Sequence, residues 1–208
     1  MSASVRKVAG LVAALALSAV VMVGCGGDDN PGGNSGGSNN GGGDSYNYTG
    51  RTVEIGGLTW MAENLNRATS NSWCYNNADS NCVKYGRLYT WEAAKTACPS
   101  GWRLPDTADW RRLVEVAGGS SVGGSTLKST SGWHSNGNGT DEFGFSALPG
   151  GYRVTNGTFF NAGYGGYWWS ATERGSGSAW RRAMYYTSGL VIENDSGKGH
   201  GFSARCVR

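Results

Sequence analysis

The sequence predicts an α+β domain in which two short helices are followed by several short antiparallel strands and long loops. Two segments near the middle of the chain space their apolar residues as helices do. At least six strand-like segments separated by glycine-rich turns then fill the last third. Helices grouped before strands, without regular alternation, are typical of the α+β class. Residues 46–208 are enough for one ordinary domain.

The first element of this domain is a predicted β-hairpin in residues 51–65. Apolar and polar residues alternate on both sides of Gly56 and Gly57, and these glycines supply a tight turn. The stretch that follows, residues 66–85, is mostly polar. We expect a loop there.

The first of the two helices is predicted to begin after Thr90, because a threonine side chain can cap a helix N-terminus. Trp91, Ala94 and Cys98 then fall on one face at spacings of three and four. Pro99 should end this helix, since proline cannot continue the hydrogen-bond ladder.

The second helix has a clearer start at Asp106, a favourable N-cap, with Asp109 three residues later near the positive end of the helix. Gly118 and Gly119 are expected to end it. Its apolar stripe consists of Trp110, Leu113, Val114 and Ala117.

The predicted strands come last. The segment "FGFSALPGGYRV" alternates apolar and polar residues and is expected to turn at Pro149, Gly150 and Gly151. Five further strand candidates follow: "GTFF", "GYWWSAT", "AWRRAMYY", "LVIE" and "GFSARCV".

The N-terminus has the features of an export signal. Arg6 and Lys7 precede an apolar run at residues 8–23, which is shorter than the roughly 20 residues of a membrane-spanning helix. The exit "VMVGC" resembles a bacterial lipoprotein signal. That resemblance implies cleavage after Gly24, so that residues 1–24 are the signal peptide and Cys25 carries palmitate-type acyl chains that anchor it in a lipid bilayer. An ordinary secretory signal followed by a stray cysteine is the alternative.

Residues 25–45 are predicted to be the lipidated cysteine and a flexible tether. Nine of the twenty residues at 26–45 are glycine and none is large and apolar, so this segment cannot form a core. Asp28 and Asp29 resemble the export signals of surface lipoproteins in Bacteroidota-type bacteria, although they could equally serve solubility. We expect a lipid-anchored protein in the outer membrane or at the cell surface.

The charge of the mature chain argues against nucleic acid as a partner. Removal of Arg6 and Lys7 leaves 16 basic and 15 acidic residues, because the whole chain has 18 and 15. Such a balance offers no strong field for a polyanion.

Four cysteines remain in the domain: Cys74, Cys82, Cys98 and Cys206. An even number in an exported domain predicts two disulfides, and four cysteines allow three connectivities. A metal site is less favoured, because no C-x-x-C motif occurs and there are two histidines.

Five segments together resemble the Fibrobacter succinogenes major paralogous domain family, over about residues 50–208. They are "TWMAENL", "YGRLYTWEAAKTACPSGWRLP", "GTDEFGFSALPGGYR", "GYWWSAT" and "GFSARCVR". The domain is therefore assigned to residues 46–208. The family is a set of exported bacterial domains, commonly on lipoproteins, whose molecular role is not established.

A more distant resemblance concerns the fold. "TWEAAKTAC", "GWRLP" and "ADWRRL" resemble the opening of C-type lectin-like domains, in which a helix cysteine bonds a cysteine of the last strand. That resemblance implies a Cys98–Cys206 disulfide and leaves Cys74 to pair with Cys82.

Aromatic density near the end of the chain suggests a binding surface for glycan, polysaccharide or protein. Exposed aromatics with arginine are common in such surfaces, although each ring could instead fill the core. Neighbouring strand residues face opposite sides, which applies both to the two adjacent tryptophans and to the pair Arg181 and Arg182. The candidate ligand-binding residues are Tyr164, Tyr167, Trp168, Trp169, Trp180 and Arg182.

A calcium site and an enzyme are the two alternatives. Glu193, Asn194 and Asp195 offer hard oxygen ligands, although such residues more often form turns. Formylglycine-generating enzymes share the C-type lectin-like scaffold, but they need reactive cysteines, which disulfides would consume here. A glycan-active enzyme would need a pair of carboxylates, and Glu173 or the pair Asp141 and Glu142 could be proposed, although nothing in their spacing singles them out. We expect no cofactor and no catalytic residue, and a non-catalytic binding, adhesion or structural module.

Overall fold

The computed structural model describes residues 46–208. The predicted signal peptide (1–24), the acylation site Cys25 and the tether (26–45) lie outside these residues. No helix within the described part is both long enough and apolar enough to cross a bilayer. The helices of this part are α1 (Asp79–Tyr85), α2 (Trp91–Ala97), α3 (Thr107–Val116) and α4 (Gly123–Leu127).

Ten strands accompany these helices in residues 46–208, and the α+β prediction is confirmed. The first five are β1 (Thr52–Ile55), β2 (Leu58–Met61), β3 (Ser72–Trp73), β4 (Leu88–Tyr89) and β5 (Gly150–Arg153). The others are β6 (Phe159–Ala162), β7 (Gly165–Gly175), β8 (Ser178–Tyr185), β9 (Ile192–Gly197) and β10 (Phe202–Ser203).

The strands form a hairpin and one curled, mostly antiparallel sheet. β1 and β2 make the predicted hairpin, in which Ile55 pairs with Leu58. The larger sheet has the order β3-β4-β10-β7-β5-β6, and β8 joins β7 while β9 joins β8. Its parallel pairs are β10 with β7 and β5 with β7. β7 is therefore the strand around which the sheet is organised.

Both predicted helix starts are confirmed by their caps. The Thr90 hydroxyl accepts a hydrogen bond from the Ala93 N–H at the start of α2. At α3, Asp106 accepts from the Asp109 N–H, and the Asp109 carboxylate accepts from the Asp106 N–H. This reciprocal capping box satisfies two backbone donors that a helix leaves unpaired.

Three sequence expectations are corrected. Residues 66–85 were expected to be a loop, but they contain β3 and α1. No further helix was expected after the second one, but α4 follows it; α3 itself ends before Gly118 and Gly119, as predicted. The expected turn at Pro149–Gly151 is wrong, because Gly150–Arg153 is strand β5. Gly151 has φ +67°, and a Cβ on it would lie 2.4 Å from the Phe160 carbonyl oxygen. Glycine is thus required there for β6 to approach, rather than to form a turn.

Two hydrophobic cores lie on opposite faces of β7. Trp169 belongs to one core and Trp168 to the other, because neighbouring residues of a strand face opposite sides. Helix α2 supplies Trp91, Ala94 and Ala97 to the first core. Helix α3 supplies Trp110 and Leu113 to the second core, together with Val114 and Ala117. The predicted apolar stripes of both helices therefore face the sheet.

Disulfides link Cys74 to Cys82 and Cys98 to Cys206. These are the two pairs that the resemblance to C-type lectin-like domains implied. The second disulfide joins the end of α2 to the C-terminal segment. That segment also bridges Val207 to Trp60 of β2 and to Arg103, so the two ends of the domain are held together by backbone hydrogen bonds as well.

Candidate functional site

Two of the predicted binding residues, Trp168 and Trp169, are inaccessible. Both side chains are fully buried. The indole N–H of Trp168 donates to Asn64 Oδ1 at 2.8 Å, and that of Trp169 donates to the Tyr89 carbonyl at 2.8 Å. Because their surfaces and their polar groups are both used inside the domain, the hypothesis that they contact a ligand is corrected: they are core residues.

Arg182 is also a core residue. It is 2 % exposed and forms an ion pair with Glu193, and its guanidinium donates to the Thr107 carbonyl. Burial lowers the pKa of Arg182, and the attraction of Glu193 opposes this. A side chain enclosed in this way cannot act as the predicted ligand contact, so that hypothesis is corrected as well.

Trp180 and Tyr164 remain accessible. The Arg174 guanidinium lies over the half-buried Trp180 ring at 4.9 Å. Tyr164 is 42 % exposed and stacks on His134, with 4.4 Å between ring centroids. Tyr186 closes this small group edge-on against both rings. The three rings form an exposed cluster, and none of them lines the two cavities described below.

The three residues proposed to bind calcium do not face a common site. Glu193, Asn194 and Asp195 lie within strand β9, not in a turn, so their side chains alternate between its two faces. Glu193 binds Arg111 and Arg182, and Asp195 lies 3.8 Å from Arg174. Partial burial disfavours the Glu193 carboxylate, yet hydrogen bonds from Arg111 and the charge of Arg182 lower its pKa. Within residues 46–208, no group of three or more metal-ligating side chains converges.

A cavity of about 350 Å³ lies on the large sheet, and unlike the cavity of about 400 Å³ beside Arg103 and Asp106 it is lined by several aromatic rings. We call it the aromatic pocket. Strands β5 to β10 and the turns beside them bring its walls together. Its lining residues are Tyr152, Val154, Asn161, Tyr167, Arg181, Tyr185, Ser196, His200 and Phe202.

Strand periodicity explains how β8 serves both the pocket and the core. Arg181 and Tyr185 lie four positions apart in β8, and both line the pocket. Arg182 and Met184 point to the opposite face of the strand and are buried. Ala183, between the two pocket residues, packs in the core beneath them. The pocket is therefore built on the face of β8 that Arg182 does not use.

Aromatic rings form the floor of the aromatic pocket. Tyr167 lies parallel to Phe202, with 5.7 Å between ring centroids and 20° between planes. Tyr152 and Tyr185 meet Tyr167 edge-on at 4.9 Å and 5.7 Å. Such offset and edge contacts stabilise aromatic clusters beyond the area that they bury. Because each ring is held by its neighbours, this floor is rigid. Tyr167 and Phe202 are almost fully buried, so its accessible apolar surface comes from the half-buried Tyr152 and Tyr185.

Polar groups surround this floor. The Asn161 side-chain N–H donates to the Tyr167 hydroxyl at 2.8 Å, and Arg181 Nε donates to Ser196 Oγ at 2.9 Å. His200 Nδ1 lies 3.0 Å from the Gly197 carbonyl, which can only accept, so Nδ1 carries the proton and Nε2 faces away from this bond. Burial raises the pKa of Tyr167, which keeps its phenol neutral and able to donate.

Of the residues that line the aromatic pocket, Tyr167 is the one that the sequence analysis names as a ligand contact. The sequence shows that Arg181 and Arg182 face opposite sides, but Arg182, the arginine named as a ligand contact, is the buried one. His200 carries no pattern that predicts its place in the pocket, where its ring lies parallel to that of Phe202 at 6.0 Å. A period of two assigns residues to two faces, but long-range packing decides which face stays open.

A second cavity, of about 260 Å³, lies between α3 and the β8–β9 region. Val114 and Val191 give it apolar walls, and the ion pairs of Arg111 and Arg182 with Glu193 lie at its edge. Since these charges already satisfy one another, this crevice offers fewer groups for ligand recognition than the aromatic pocket does.

Two carboxylates that could act in catalysis, those of Glu173 and Asp141, bind other residues outside the aromatic pocket. Glu173 binds Lys198, and Asp141 accepts hydrogen bonds from the backbone and hydroxyl of Ser146. Neither residue lines the aromatic pocket.

Comparison with known proteins identifies one family. The sequence model described as the Fibrobacter succinogenes major domain matches residues 53–208, which is three quarters of the chain. Neither a curated protein nor a solved structure matches the chain significantly. The family match covers both helices α2 and α3, the whole of the large sheet and the aromatic pocket.

Proposed function

This chain belongs to the Fibrobacter succinogenes major domain family, and we propose that it is a non-catalytic, carbohydrate-binding module of the cell surface. In this proposal Cys25 anchors the chain in the outer membrane and residues 26–45 tether the domain. The aromatic pocket binds a sugar unit of a glycan or polysaccharide. The fold is proposed to be C-type lectin-like, which is supported by the order α2, α3, sheet and by the Cys98–Cys206 bond.

The observation that carries the proposal is the chemistry of the aromatic pocket. Its volume falls within the range of roughly 300–1,000 Å³ that is common for small-molecule sites. A sugar ring combines apolar C–H faces with a rim of hydroxyl groups. The half-buried rings of Tyr152 and Tyr185 can contact those faces, with the buried rings of Tyr167 and Phe202 supporting them from beneath. The surrounding amide, hydroxyl, imidazole and guanidinium groups match the rim.

Two features of the described residues favour binding over catalysis. The lining of the aromatic pocket contains no aspartate or glutamate, whereas glycoside hydrolysis by the common mechanism needs two carboxyl groups across the bond. The four cysteines of residues 46–208 are all in disulfides, so none of them is a thiol nucleophile. The pocket therefore has neither the carboxyl pair of a glycosidase nor the free thiol of a formylglycine-generating enzyme.

A glycan array and pull-downs on insoluble polysaccharides, using the full chain in detergent, test the proposal. We expect selective binding that Tyr185→Ala and Asn161→Ala each weaken, because one removes a ring from the pocket wall and the other removes a polar group. Tyr164→Ala is the matched control: it removes an exposed tyrosine of the cluster with His134 and should leave binding unchanged.

Absence of binding to every glycan and polysaccharide would reject the proposal. Loss of binding on Tyr164→Ala, with the pocket variants unaffected, would move the site to the exposed cluster.

A further inference from the structure

We infer that the ligand of the aromatic pocket is an acidic sugar whose carboxylate binds Arg181. This inference rests on the proposed carbohydrate-binding function and names the class of sugar: a uronic acid unit of an acidic polysaccharide. It depends on how Arg181 is held, on which of its donors are used, and on the charge of the pocket.

The Arg181 guanidinium is fixed in position by three contacts. Its Nε donates to Ser196 Oγ at 2.9 Å. Its central carbon lies 5.4 Å from the centre of the Tyr167 ring and 5.6 Å from that of the Phe202 ring. These cation–π contacts hold the planar group above the aromatic floor. An arginine constrained in this way loses little further freedom when it binds a ligand.

The end of the Arg181 side chain lacks an acceptor. Nη1 is buried and has no hydrogen-bond partner among residues 46–208. Buried guanidinium donors are normally paired, because an unmade hydrogen bond in a buried position is unfavourable. Since Nε is already bonded to Ser196, the two Nη atoms are the donors that remain. Because Nη1 is buried, an acceptor that bonds both Nη atoms must displace the side chains that cover Nη1.

An unpaired donor does not by itself distinguish Arg181, because Arg182 Nη1 and Arg205 Nε also lack a hydrogen-bond partner among residues 46–208. The adjacent Arg182, however, is neutralised by Glu193, which also pairs with Arg111. Arg181 has no carboxylate partner within the described residues, and no acidic side chain lines the aromatic pocket. The pocket therefore has an uncompensated positive charge above a surface suited to a sugar ring.

A carboxylate matches the two Nη donors of Arg181 because two parallel N–H···O bonds can form between a guanidinium and a carboxylate. A carboxylate attached to a sugar ring would be held at the arginine while the ring lies on the aromatic floor. Sulfate esters share the negative charge, and the experiment below distinguishes them.

The test is calorimetric titration of the full chain in detergent with four oligosaccharides of similar length. They are oligogalacturonate, its uncharged methyl ester, a sulfated galactan oligosaccharide and a neutral cello-oligosaccharide. We expect oligogalacturonate to bind about tenfold or more tightly than its ester, as loss of a charge-assisted hydrogen bond implies. Arg181→Gln should remove this preference and Arg181→Lys should retain part of it.

Arg174→Gln is the matched control, because Arg174 is an exposed arginine outside the pocket and should leave the preference intact. Equal binding of the acid and its ester by the unmodified protein, an unchanged preference in Arg181→Gln, or stronger binding of the sulfated sugar would overturn the inference and leave carbohydrate binding standing. Failure of all four oligosaccharides to bind would overturn the proposed function itself.

Discussion

Trp168 and Trp169 are neighbours in the chain but pack into different hydrophobic cores. Trp168 lies 6.4 Å from Trp110 of helix α3, and Trp169 lies 4.5 Å from Phe202 of β10, between ring centroids. Strand β7 thus divides the domain, and its two tryptophans fasten the helices and the C-terminal strand to it. The aromatic pocket lies on the Trp169 side of β7. Tyr167 and Phe202 belong to the same core as Trp169 and line the base of the pocket.

Replacing Trp168 or Trp169 should therefore destabilise the domain. Each substitution by alanine is expected to lower the free energy of unfolding by about 3–5 kcal/mol, the usual cost of removing a large buried aromatic side chain. Urea unfolding followed by fluorescence measures this. Trp180→Ala should cost much less, since that ring is half-buried. A Trp168→Ala protein with unchanged stability and lost ligand binding would contradict the core assignment.

The two disulfides should contribute unequally. The Cys98–Cys206 bond joins residues 108 apart, and the Cys74–Cys82 bond joins residues 8 apart. The chain-entropy relation gives a stabilisation of about 5 kcal/mol for the long loop and about 2.5 kcal/mol for the short one. Paired cysteine-to-alanine variants, compared by thermal unfolding, check this order. The opposite order would mean that the terminal disulfide is not the main constraint.

Acid stability should depend on the ion pair of Asp109 with Arg103. Partial burial disfavours the Asp109 carboxylate, but hydrogen bonds from Arg103 and from the Asp106 N–H outweigh it and lower its pKa. The stabilisation is therefore complete above the ordinary aspartate pKa of about 3.9, and it is lost as pH falls through the lowered value.

Asp109→Asn is expected to be less stable than the unmodified chain at neutral pH and to approach its stability as the pH falls below about 4, the ordinary aspartate pKa. Thermal unfolding across this range measures the difference. Glu92→Gln, which changes an exposed carboxylate paired only with Lys95, is the control. A stability difference that stays constant down to the lowest pH would show that the pair does not act through charge.

Gly151 should tolerate no side chain. Alanine there would need φ +67° and would place its Cβ against the Phe160 carbonyl, which forces β5 and β6 apart. We expect a loss of about 2 kcal/mol or more, together with weaker ligand binding, because Tyr152 and Asn161 of the aromatic pocket lie on these strands. Gly163→Ala is the control, since φ is +85° there but the space is open. If the two variants lost the same stability, the close approach of β6 would not be the reason that Gly151 excludes a side chain.

Local patterns in the sequence predict helices α2 and α3 and most of the strands. Asp106 and Asp109 form their capping box within four residues, so the start of α3 could be read directly from the sequence. Helix α1 was missed because the polar stretch around it has no apolar periodicity; its buried Cys82 and Tyr85 pack through tertiary contacts. The sequence predicts a turn at Gly151, where the structure has strand β5, because glycine is common both in turns and where two strands approach closely.

The aromatic pocket was harder to predict than the fold. The sequence indicated a binding surface in the right strands, and it indicated that Arg181 and Arg182 face opposite sides. It could not show which side is open, because Glu193 and helix α3, which enclose Arg182, come from distant parts of the chain. Ser196 and His200 carry no local signal, since they join the pocket only through the pairing of β8 with β9 and the position of β10.

The most direct test of the central claim is a crystal structure of the chain in complex with an oligosaccharide that it binds. The account predicts a sugar ring in the aromatic pocket against Tyr152 and Tyr185, with polar contacts to Asn161 and Arg181. A sugar bound instead at the exposed cluster of His134, Tyr164 and Tyr186, or in the crevice beside α3, would contradict it.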